Sequence, residues 1–69
     1  MVEVFKTDVQ EEKLAQKIIS ELLRHFPGCE INFDLEDCDK ILRVETTKNI
    51  FSEVIATLTQ QGIRCEILD

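Results

Sequence analysis

Apolar residues along this chain recur with two different periods, and the periods alternate. Val2 to Lys6 alternates by twos, which predicts a strand with Val2 and Val4 on one face and Glu3 and Phe5 on the other. From about Gln10 to Phe26 the spacing turns helical: Ala15, Ile18, Ile19, Leu22 and Phe26 form an apolar stripe flanked by Leu14 and Leu23. Asp8 stands where a helix cap is expected, and Glu11 and Glu12 suit the positive end of the helix dipole. Pro27-Gly28 ends the helix, with Arg24 and His25 in its last turn. Cys29 to Leu35 then alternates strictly, with Cys29, Ile31, Phe33 and Leu35 facing one way and Glu30, Asn32 and Asp34 the other. Glu36 to Lys40 is polar and predicts a hairpin loop. Ile41 to Glu45 predicts a third strand with Leu42 and Val44 inward, followed by a connection over Thr46 to Asn49. A second helix is expected over Ile50 to Gln61, with Phe51, Val54, Ile55 and Leu58 on its stripe and Gly62 as its left-handed terminator. The last strand, Ile63 to Leu68, turns Ile63, Cys65 and Ile67 inward.

Each helix has one apolar stripe and each strand one apolar face. The economical arrangement is an α+β sandwich with two helices on one face of a four-stranded sheet. Right-handed crossovers give an antiparallel sheet of strand order 4-1-3-2, the ferredoxin-like βαββαβ plan, as a single domain over residues 1–69. The open face then carries Glu3, Phe5, Ile41, Arg43, Glu45, Arg64, Glu66 and Leu68. Phe5, Ile41 and Leu68 make an apolar spot in a charged rim that includes Arg43, a candidate contact for a protein partner or a second copy.

Charge narrows the partners. Fourteen acidic residues against eight basic ones leave a net charge of −6, with no basic cluster and no Trp or Tyr, which argues against nucleic acid and against anionic membrane surfaces. No apolar run approaches the ~20 residues of a membrane span, and Met1 to Lys6 has no leader character. Three widely spaced cysteines form neither a disulfide framework nor a C-x-x-C pair, so a cytoplasmic protein with reduced thiols is expected. Cys29 and Cys65 sit inward on opposite edge strands, roughly 14 Å apart, and are expected to be small core residues. Cys38 is expected to be exposed in an acidic loop, where it is a candidate contact residue.

Two local runs, Phe26-Pro27-Gly28-Cys29 after the first helix and Gly62-Ile63-Arg64-Cys65-Glu66 at the last strand, add a resemblance. With the element order they make nearly the whole chain resemble a heavy-metal-associated domain, the fold of small metal chaperones. The resemblance implies the ferredoxin-like fold. That family's signature is Gly-Met-x-Cys-x-x-Cys in the first bend, and alignment from Val4 puts Val9 and Glu12 at its two cysteine positions. No metal ligand of the family carries over, and no cofactor is expected. Amino-acid-sensing regulatory domains of similar fold fit the same pattern.

The topology gathers the first bend, the central hairpin and the Gln60-Gln61-Gly62 turn at one end of the sheet. Asp8, Glu11, Glu12, Asp34, Glu36, Asp37 and Asp39 then share an acidic pole with Cys38. Asp8, Glu12, Asp37 and Asp39 are candidate ligands for a hard cation, although their spacing matches no calcium loop; a basic protein is the other candidate partner. A solvated turn and a negatively charged helix start account for most of this acidity. His25 borders the apolar stripe without a nucleophile in reach, and no catalytic set is apparent. The expected function is a small non-enzymatic binding or regulatory module. The alternative is a divergent metal-handling protein that uses carboxylates in place of thiolates.

Overall fold

The chain is described by a computed structural model over residues 1–68; Asp69, the end of the expected single domain, lies outside the described residues. Six elements follow in the expected order: β1 (Val2–Thr7), α1 (Glu12–His25), β2 (Glu30–Asp34), β3 (Ile41–Glu45), α2 (Phe51–Gln60) and β4 (Cys65–Ile67). The four strands form one antiparallel sheet of order β2-β3-β1-β4, the 4-1-3-2 arrangement of a ferredoxin-like α+β sandwich. Alpha-helix α1 packs against β2, and α2 against β4, covering one face of the sheet. No helix among the described residues is long and apolar enough to cross a membrane.

The helix ends show why the chain turns where it does. Helix α2 closes with Gly62 N–H donating to Thr59 C=O and Ile63 N–H donating to Leu58 C=O, each at 3.0 Å. This paired reverse bonding needs a left-handed residue, and Gly62 supplies it at φ +78°. Leu58 and Ile63, brought together by the motif, are both buried. At the other helix the expected start is corrected. Helix α1 begins at Glu12 with Glu11 as its cap, and no side chain caps it. Asp8 is not the cap, because its Oδ1 accepts the Arg64 backbone N–H at 3.0 Å and ties the first bend to the approach to β4.

The main correction concerns β1. Phe5, expected on the open face, is 0% exposed and lies in the core beneath the helices, and Glu3 shares its side of the strand. Val2 and Val4 point to the open face instead. The pairing explains the choice, since residues opposite each other in an antiparallel ladder share a face. Phe5 pairs with buried Leu42 and Glu3 with buried Val44, while Val4 pairs with exposed Arg43. The Phe5 ring meets Phe51 of α2 edge-on, with centroids 6.2 Å apart. Thr7 extends the inward set, and its hydroxyl is satisfied by donating to Lys40 C=O at 2.6 Å and accepting from Val9 N–H at 3.2 Å. Among the described residues no buried side-chain polar atom lacks a hydrogen bond.

The core runs from Phe5 and Val9 through Ala15, Ile18 and Leu22 of α1 to Val54 and Leu58 of α2, over Ile31, Leu42, Val44 and Cys65 of the sheet. Phe5→Ala is therefore expected to cost about 3–5 kcal/mol, as for a buried aromatic truncation, and Val4→Ala under about 1 kcal/mol. Urea denaturation of the two variants checks this; a larger cost for Val4→Ala than for Phe5→Ala would put the two faces of β1 the other way round.

Candidate functional site

Two surfaces hold the residues that the chain's chemistry singles out. The first is the acidic pole. Thr7 N–H donates to Asp39 C=O at 3.0 Å and the Thr7 hydroxyl holds Lys40, so the hairpin loop after β2 is fastened to the first bend. Lys40 adopts the left-handed region at φ +46°, rare for a residue with a side chain. Three bonds hold it there: its N–H donates to Asp37 C=O at 3.0 Å, its Nζ donates to Leu35 C=O at 2.9 Å, and its carbonyl accepts from Thr7. The Lys40 ammonium is thus folded back over its own loop.

Of the four candidate cation ligands, two converge. Side-chain ligand atoms of Asp37, Cys38 and Asp39 lie within 4.8 Å of one another, and no other group of three potential ligands clusters so among the described residues. Asp8 is engaged with Arg64, and Glu12 Oε1 accepts from Gln16 Nε2 at 3.0 Å along α1. The convergence also has a local cause. Asp37 Oδ1 accepts the Asp39 N–H at 2.9 Å, and Asp34 Oδ1 accepts the Glu36 N–H at 3.2 Å, both turn-forming bonds that shape the loop. The bend itself is closed to ligands on one side: Val9 is 0% exposed and plugs the core, while Glu12 lies in solvent at the helix start. A side chain at position 9 serves packing here.

The second surface is the uncovered face of the sheet. Reading across the strands from β2 to β4, one row is Asn32, Arg43, Val4 and Leu68; a second is Glu30, Glu45 and Val2; toward the loop end Asp34 pairs with Ile41 and Lys6 with Glu66. Val2 is 49% and Leu68 36% exposed, and Val4 and Ile41 are half-buried. The apolar members sit on β1 and its neighbours, and the acidic ones gather toward β2. Lys6 Nζ pairs with Glu66 at 3.6 Å and Arg43 with Glu45 at 3.4 Å, both in solvent. Of the expected contact residues, Ile41 and Arg43 are on this face, Cys38 is exposed at the pole, and Phe5 belongs to neither surface. Val2 and Val4, expected to face inward, take its place.

The three thiols are all free, and their settings differ. Cys65 is 7% exposed, and burial, with Glu66 beside it adding a smaller push, raises its thiol from an ordinary 9.0 to about 12. In the unfolded chain the thiol ionises near 9, while in the folded chain it keeps its proton to about 12. The stabilisation is thus complete below pH 9 and declines between pH 9 and 12 by up to about 1.4 kcal/mol per pH unit. Between pH 8 and pH 10 the native protein should lose about 1 kcal/mol more than Cys65→Ala does in urea denaturation. Equal losses would contradict the burial of this thiol. In comparisons with known proteins, no family model, no curated protein and no solved structure matches this chain.

Proposed function

We propose that this chain is a small, non-enzymatic, cytoplasmic module that binds another protein through the open face of its sheet. The observation that carries this reading is the set of apolar residues on the uncovered face, Val2 and Val4 along β1 with Leu68 opposite Val4 and Ile41 diagonal to it on β3. Arg43 sits beside Val4 at the middle of the face. Lys6 with Glu66 at the rim and Arg43 with Glu45 beside the strip are already paired, so closing a partner over the strip strands few charges. Apolar anchors inside a polar rim are the anatomy of protein interfaces. Three unpaired thiols support a reducing compartment.

Val4→Asp tests this directly, because the position faces solvent and the change spares the core. Affinity capture from extract of the source cells, with wild type and variant side by side, should enrich a partner on the wild type. The variant should recover at least about tenfold less of it while keeping the same circular dichroism spectrum. Equal recovery would overturn the assignment of the surface.

A second reading, a divergent metal-handling protein that uses carboxylates in place of thiolates, is favoured by the convergence of Asp37, Cys38 and Asp39. It draws on Asp37 and Asp39 of the candidate ligands, since Asp8 and Glu12 are engaged elsewhere. Titration with Ca²⁺, Mg²⁺ and Zn²⁺ separates the readings. Metal handling expects saturable amide shifts over residues 34–40 that Asp37→Asn abolishes; the binding-module reading expects unmoved signals.

A further inference from the structure

The outer edge of β2 offers a partner more than charge. Its bonding pattern follows from the ladder next to it. Leu68 N–H donates to Val4 C=O at 2.9 Å, so Val4 turns its backbone groups toward β4, and Glu3 and Phe5 turn theirs toward β3. The alternation continues across the sheet. Leu42 and Val44 face β1, whereas Ile41, Arg43 and Glu45 bond with Asp34, Asn32 and Glu30 of β2. Ile31 and Phe33 are left with their N–H and C=O groups pointing out of the sheet edge, and among the described residues nothing bonds to them.

The two sides of this edge are chemically distinct. On the open face Glu30, Asn32 and Asp34 are exposed, with Glu45 opposite Glu30. Residues 29–40 hold five of the acidic side chains and a single basic one, Lys40, whose ammonium is already bound to Leu35. On the helix side Phe33 is half-buried and α1 lies above. Glu21 and His25 line the groove between α1 and α2, so the opposite flank of α1, with Ile19 and Leu23, turns toward the β2 edge. Leu23 is 38% exposed there.

We propose that this edge takes up a basic, extended segment of a partner protein as a fifth, antiparallel strand. The register specifies its pattern: basic, apolar, any residue, apolar, basic. The two apolar residues lie opposite Ile31 and Phe33, exchange backbone bonds with them and turn inward below Ile19 and Leu23. The two basic residues fall opposite Glu30 and Asp34, in the closely spaced pairs where facing side chains approach most. A second copy of this chain is the wrong occupant. Antiparallel pairing of two β2 edges through the same backbone groups would set Glu30 against Asp34 twice, acid facing acid. The other edge is a poorer dock, since β4 has three residues and its Glu66 is paired with Lys6. The site is separate from the Val4 strip, so it stands or falls independently of that surface.

The probe is a fluorescent peptide, Lys-Val-Thr-Val-Lys flanked by glycines, titrated at low salt and followed by anisotropy and amide spectra. Saturable binding is expected, with the largest amide shifts at Ile31 and Phe33. Glu30→Lys combined with Asp34→Lys should weaken it at least about tenfold, and N-methylation of both valines should abolish it. Val4→Asp should leave it unchanged. No saturation up to about 1 mM peptide would overturn the proposal. Equal affinity of the N-methylated peptide, or shifts confined to residues 36–39, would reduce the effect to diffuse charge attraction and overturn it as well. Concentration-dependent shifts of Ile31 and Phe33 without peptide would give the edge to a second copy, with the same consequence.

Discussion

The pairing register of β1 is the constraint from which the rest follows. β1 is one of the two central strands, bonded to β3 and β4, and its inward set is Glu3, Phe5 and Thr7. Strand periodicity is two, so a slip of one residue would eject Phe5 from beneath the helices and press Val4 and Lys6 into the core. The Phe5 ring against Phe51 and the Thr7 hydroxyl between Lys40 and Val9 oppose that slip from both ends. Once the register is set, the open face must carry Val2, Val4 and Lys6, and the ladder must turn the backbone groups of Ile31 and Phe33 out of the β2 edge, where nothing bonds them among the described residues.

The two helices cover one side of the sheet, and an antiparallel sheet tolerates water on the other. An exposed face and an exposed edge thus come with this fold before they are functional surfaces. What makes them candidates is how the residues on them differ from a merely solvated surface. Apolar side chains adjoin across strands on the face, and one edge is acidic on its solvent side and apolar on its helix side. The acidic pole shows the contrasting case, because Asp34 and Asp37 shape the loop and Asp8 ties the first bend to the approach to β4.

Much of this is legible in the sequence. The order of elements, the strand order, Gly62 as terminator and the two edge strands all follow from periodicity and turn chemistry. The face of β1 differs from the expectation because Val-Glu-Val-Phe is apolar on both sides, and period two alone does not say which side is covered. A longer window held the answer. Lys6 and Asp8 continue the Val2 and Val4 set, marking it as the wet side, and Thr7 and Val9 continue the Phe5 set. Val9 escaped notice as core for the same reason. Asp8 looked like a cap because its real partner, the Arg64 N–H, is 56 residues away in the chain. Neither the open-face strip nor the split character of the β2 edge could be seen until the register was known.

Native-state amide hydrogen exchange of the free protein tests that register most directly. The account predicts slow exchange at Glu3 and Phe5, bonded to β3, and at Asn32, bonded to Arg43, with Ile31 and Phe33 exchanging fast between protected neighbours. Fast exchange at Asn32 with protection at Ile31 and Phe33 would contradict it, because β2 would then present the other half of its backbone to the open edge.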